Sequence, residues 1–143
     1  MANLLKRTAQ SWVELTTLEA ALQSLATGST ATSEAIDNSG GLYPELELSL
    51  ILASFTPSAT FPYLEVHVLP ITEDGTNYAD VTPSTYKTTL QMATGASAKY
   101  LTTARLAVPA SNFKIAIVNQ SGATLAASGH GAKYSLSTLN LNG

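Results

Sequence analysis

In the segment Glu45-Leu46-Glu47-Leu48-Ser49-Leu50-Ile51-Leu52, leucine takes every second position and Glu45, Glu47 and Ser49 stand between. A period of two puts all four leucines on one side of an extended chain, whereas a helix would scatter them around its axis. The stretch from Leu42 to Leu52 therefore reads as a strand with one buried and one wet face. Similar alternation runs to the end of the chain. In Tyr63 to Pro70, Leu64, Val66 and Val68 oppose Glu65 and His67, and Pro62 and Pro70 bound the strand. Weaker strands are expected over Ser29 to Ile36, over Tyr86 to Met92 with Tyr86, Leu90 and Met92 on one face, and over Tyr100 to Val108. The strongest hairpin signal is Phe113, Ile115 and Ile117, a turn at Asn119-Gln120-Ser121-Gly122, and a return over Ala123 to Ser128. Lys133 to Leu136 makes a further short strand and Leu139 to Gly143 a loose tail.

Seven or eight short strands with no helical crossover after residue 29 exclude a parallel sheet and predict an all-β fold, an antiparallel β-sandwich. Unequal loops favour a jelly roll over an up-and-down meander; a closed barrel satisfies the same alternation, and pairing order decides between them. No fixed-period repeat points to a solenoid or propeller. The sandwich is expected over residues 29–143, preceded over residues 1–28 by an N-terminal arm and a short helix. Met1 to Trp12 carries no sustained period. Val13, Leu15, Leu18, Leu22 and Leu25 recur near helical spacing, Thr16 with Glu19 fits a capping box, and Gly28 would stop the helix.

The chain has 143 residues, no cysteine, and seven Lys and Arg against ten Asp and Glu. A weakly acidic balance offers phosphate backbones no attraction, which argues against nucleic acid as a partner. No disulfide or thiolate chemistry is open to it. No apolar run approaches the roughly 20 residues that cross a bilayer. The start, with Lys6 and Arg7, lacks the clean apolar segment of a cleaved signal peptide. Nineteen Thr and fifteen Ser take the place of charge, and such a surface packs against another protein with little ion desolvation.

Few residues suggest chemistry. His67 and Glu65 share a strand face and could hold a metal or a proton, but no third ligand accompanies them. Glu45 and Glu47 read as a solvated face. The acidic turn from Glu73 to Asp80 could hold a hard cation, yet Asp74 and Asn77 suit Asx-type bonds to backbone, with Gly75 easing the turn. His130 between Gly129 and Gly131 reads as a turn residue. There is no Gly-x-Ser-x-Gly elbow and no phosphate loop, so the sequence points to no catalytic residue, no cofactor and no metal. Tyr43, Tyr63, Tyr78, Tyr86, Tyr100, Tyr134 and Trp12 offer stacking faces for sugars, although their dispersal also fits core or interface roles.

Five stretches carry a resemblance: AIDNS at Ala35 to Ser39, LELSL at Leu46 to Leu50, YLEVHVLP at Tyr63 to Pro70, DGTNYAD at Asp74 to Asp80, and FKIAIVNQSGATLAASG at Phe113 to Gly129. Over about residues 30–131 the chain resembles small virion structural proteins of tailed bacteriophages. That resemblance implies a jelly-roll domain acting, without catalysis, as a capsid decoration protein on the outer surface of the head, with the major capsid protein as partner. Self-association as a homotrimer would protect open sheet edges. The expected capsid- or subunit-binding residues are Leu4, Leu5 and Trp12, apolar anchors on an arm whose removal before Thr16 should abolish binding and leave the strand domain folded. Competing readings are a carbohydrate-binding virion module for host attachment and a tail or connector protein.

Overall fold

The structure, a computed structural model, describes residues 4–40 and 43–142, with the side chains of residues 8–40 and 43–138. Among these residues lie ten strands: β1 (Leu4–Ala9), β2 (Val13–Glu14), β3 (Thr30–Thr32), β4 (Glu45–Leu52), β5 (Tyr63–Pro70), β6 (Tyr86–Gln91), β7 (Lys99–Thr102), β8 (Leu106–Ala107), β9 (Phe113–Gln120) and β10 (Gly131–Asn142), with one helix, α1 (Thr16–Leu22). They form two packed antiparallel sheets. Sheet A runs β1-β10-β4-β7, with β2 also on β10 and β8 also on β4; sheet B runs β3-β9-β5-β6.

The pairs β1/β10, β3/β9, β4/β7 and β5/β6 are nested in sequence and fall alternately in sheets A and B. The chain is one long hairpin rolled over on itself, and the two strand orders are those of a jelly roll. An all-β antiparallel sandwich is what the alternation predicted.

The inner faces follow the period of two. Leu46, Leu48, Leu50 and Leu52 of β4, Leu64, Val66 and Val68 of β5, and Phe113, Ile115 and Ile117 of β9 are buried in one core. Each such side chain contributes about 1.5–3 kcal/mol relative to an exposed position. Leu15, Leu18, Leu22 and Leu25 join the same core.

Residues 4–28 are therefore part of the sandwich. The stretch expected as an arm pairs along β10 from Leu4 opposite Asn142 to Ala9 opposite Ser137, and β2 continues the edge at Tyr134 and Lys133. Removing it before Thr16 would strip the edge of β10, which bears against the expectation that the remaining domain stays folded. The tail is corrected with it: residues 139–142 complete the long strand β10, because their partner lies at the other end of the sequence.

Helix α1 begins at Thr16, but Glu19 does not close a capping box. Its carboxylate accepts the Ala132 amide at 3.0 Å, while Glu34 accepts the Thr17 amide at 3.1 Å and the Thr16 hydroxyl at 3.3 Å. Burial pushes the Glu34 carboxyl up, but these hydrogen bonds at the helix start outweigh it and leave it below its ordinary value. The helix ends at Leu22, with Ser24 at φ 54, well before Gly28.

The expected hairpin return over residues 123–128 is not a strand. Buried Asn119 donates to the Leu25 and Ala123 carbonyls and accepts the Ser121 amide, which turns the chain away from sheet B toward sheet A. Gly122, at φ +80, sits where a Cβ would meet the Ala59 nitrogen at 2.6 Å, so only glycine fits this crossing.

Two phase slips also depart from simple alternation. The pairing of β5 with β6 shifts between Val66 and His67, which sets Tyr86 opposite His67 on the outer face rather than with Leu90 inside. Between β7 and β8 the chain breaks, so Leu101 and Leu106 are both buried while Ala104 is exposed. Thr103 bridges the break by exchanging bonds with Leu48, its amide donating to the Leu48 carbonyl and its hydroxyl accepting the Leu48 amide, both at 2.9 Å.

Candidate functional site

The outer face of sheet A is set by the odd positions of β4. Glu45, Glu47 and Ser49 continue to Ile51, which stands opposite Gly131 of β10 on one side and Tyr100 of β7 on the other. Tyr100 is 76% exposed, Ile51 41% and Trp12 48%, and Trp12 and Ile51 line one groove with Gly131. Because Gly131 has no side chain, a groove of about 320 Å³ opens between Trp12 and Ile51, flanked by Ser49 and Lys133. Tyr100, Ile51 and Trp12 thus form a row of exposed apolar side chains on this face. Nearer the start of β4, Glu47 meets Arg105 at 3.4 Å.

Of the three expected anchors, Trp12 belongs to this row. Leu4 and Leu5 stand opposite Asn142 and Leu141 in the β1/β10 ladder; their side chains lie outside the described residues. Sequence reasoning missed Ile51 and Gly131, and named Tyr100 only among the dispersed aromatic candidates. Ile51 did leave a signal, since it is an apolar residue at an outward position of an otherwise polar face.

The outer face of sheet B is built differently. The segment joining β5 to β6 folds back over it, pinned at its tip by Asp74, whose carboxylate accepts the Asn77 amide, the Thr72 hydroxyl, the Thr76 amide and the Asn77 side chain. These bonds hold the Asp74 carboxyl far below its ordinary value. Both Asp74 oxygens are spent on the turn itself, and no group of three or more acidic, His or Cys side chains with metal-binding spacing occurs among the described residues.

At the base of this segment His67 is buried, 3% exposed, although it points outward. Its Nδ1 lies 2.9 Å from the Thr85 hydroxyl and its Nε2 3.2 Å from Glu65 Oε2. The Thr85 hydroxyl accepts the Thr82 amide and donates to the Thr82 carbonyl. Tyr86 stands edge-on to the imidazole, ring centroids 5.8 Å apart. Glu65, His67 and Tyr86 then line a recess of about 390 Å³ with Val81, Thr82 and Pro83. The sequence brought Glu65 and His67 together on one strand face; pairing with β6 adds the other members.

No family model and no curated protein matches this chain. His130 is a structural residue: Nδ1 accepts the Ala53 amide at 3.2 Å and Nε2 donates to the Ala126 carbonyl at 2.7 Å, so both ring nitrogens are engaged. Glu45 and Glu47 lie on the solvated side of β4, and among the described residues no helix is long and apolar enough to cross a membrane.

Proposed function

We propose that this chain is a non-enzymatic structural protein that docks on an assembled protein shell, as the resemblance to phage head decoration proteins implies, and strengthens contacts between coat subunits. The observation that carries the proposal is the exposed row Trp12, Ile51 and Tyr100 on the outer face of sheet A. Covering a large aromatic side chain is worth roughly 2–3 kcal/mol, and interface energy concentrates in such anchors.

The alternatives to face docking are reduced by the sheet edges. β3 has three residues, β6 pairs through an irregular register, and the edges of sheet A are interrupted between β1 and β2 and between β7 and β8. Interrupted edges resist strand addition, so the broad face is the surface best suited to a partner. A rigid domain bound across a subunit junction must lose its contacts before the junction opens, and repetition over a shell multiplies a modest interface.

The test is labelling of intact particles from cells carrying this gene, followed by co-sedimentation of added full-length protein with the shells. The proposal expects label on heads and at least tenfold weaker co-sedimentation for Trp12→Ala. Label confined to tails, or unchanged co-sedimentation of the Trp12→Ala/Tyr100→Ala double variant, overturns it.

A further inference from the structure

We propose that the recess formed by Glu65, His67 and Tyr86 on the outer face of sheet B binds a neutral saccharide ring. The inference concerns the opposite face from the docking row and does not depend on the shell reading.

An exposed strand carboxylate needs no support from a buried group. Glu65 nevertheless ends a chain of hydrogen bonds that starts in the Thr82 backbone and passes through the Thr85 hydroxyl and the imidazole of His67. A buried imidazole is costly unless both nitrogens are satisfied. The arrangement satisfies them and fixes one carboxylate oxygen, leaving Oε1 without a partner among the described residues. A carboxylate held in advance of binding loses little freedom when a ligand arrives.

The lining selects the ligand. The Thr85 hydroxyl accepts the Thr82 amide and meets Nδ1, and Nε2 facing a carboxylate carries the hydrogen they share. The imidazole takes one Glu65 oxygen, so a cationic ligand finds a single acceptor atom and no second carboxylate in the recess. No Lys or Arg lines the recess, so an anion is not favoured either. What remains is an acceptor oxygen beside a half-exposed aromatic ring and the apolar walls of Val81 and Pro83. A pyranose supplies the complement: hydroxyl donors for Oε1 and a C–H face for the Tyr86 ring. The volume of about 390 Å³ accommodates one or two such rings.

The test is NMR titration of the full chain with a panel of neutral mono- and disaccharides, with arginine and sodium phosphate as probes of the charged classes. Saturable shifts of the amides of residues 65–67 and 82–86 by at least one neutral sugar are expected, weakened at least tenfold in Tyr86→Ala and in Glu65→Ala. Both substitutions fall on partly exposed side chains, and retention of the wild-type amide spectrum elsewhere checks folding. No shift by any sugar at 50 mM (about a −1.8 kcal/mol ceiling on affinity), shifts by arginine or phosphate alone, or sugar binding unchanged by Tyr86→Ala each overturns the proposal. Shell binding is a separate measurement, so failure here leaves the docking reading intact.

Discussion

The two outer faces of the sandwich rest on sheets of similar sequence character, yet one keeps an apolar row exposed and the other is covered over His67 by its own chain. On sheet A the outward side chains of Trp12, Ile51 and Tyr100 stay exposed. On sheet B the 15-residue connection from Ile71 to Thr85 returns over β5, and an outward histidine becomes as buried as a core residue. Strand alternation therefore establishes which way a side chain points, whereas burial depends on where the loops go. A polar residue can sit under a loop when its hydrogen bonds are completed there, as those of His67 are. An apolar row left exposed is the surface on which the proposed docking rests.

Removing residues 4–14 should have the largest effect and would break the comparison altogether. It deletes β1 and β2 and exposes the whole edge of β10, so the shortened chain should lose its cooperative thermal transition or aggregate. A soluble chain with unchanged melting would contradict the pairing described above.

His67→Ala sharpens the contrast. It leaves the Thr85 hydroxyl and Glu65 without their buried partner and should cost about 1–3 kcal/mol in urea unfolding. Amide exchange should accelerate over residues 71–85 and stay unchanged along β7 and β10 if the covered face is an independent unit. Gly131→Leu acts on the other side. The nearest Ile51 atom lies 3.6 Å from a Cβ at that position, so the side chain can fill the groove, with a stability change within about 1 kcal/mol and a several-fold loss of shell co-sedimentation.

The smallest effect concerns pH. Because the Asp74 carboxyl is depressed in the folded chain, its contribution to the turn is present above its unfolded value of 3.8 and fades only as pH falls through the lower folded value. The Thr76 and Asn77 amide signals should stay in place through the ordinary carboxylate range and move below it. Movement centred near 3.8 would show that the four hydrogen bonds do not hold in solution.

Much of the fold was legible because β4, β5 and the start of β9 each bury one face, and a one-residue slip would turn that face to water. The missing parts depended on groups distant in sequence. The cap of α1 comes from Glu34, the end of β10 pairs with residues near the beginning, and the failed hairpin is diverted by the side chain of Asn119 through Leu25. The stretches that carried the phage resemblance contain such turn builders: Asn38 holds Tyr43 and Pro109, and Asp74 and Asn119 hold their own turns. Of the candidate sites, the Glu65 and His67 pair and Trp12 could be named from sequence. Tyr86 and Tyr100 stood only among seven dispersed stacking candidates and Thr85 was not named, since a register shift and a cross-strand neighbour place them.

The nested hairpin brings Leu4 directly opposite Asn142. A load applied between these two residues would peel the β1/β10 ladder open one rung at a time, like a zipper, instead of shearing all its rungs together. The sandwich should thus yield at small force when stretched between its ends. It should hold far better when gripped by a face, which is how a protein fastened to a swelling shell would feel the strain.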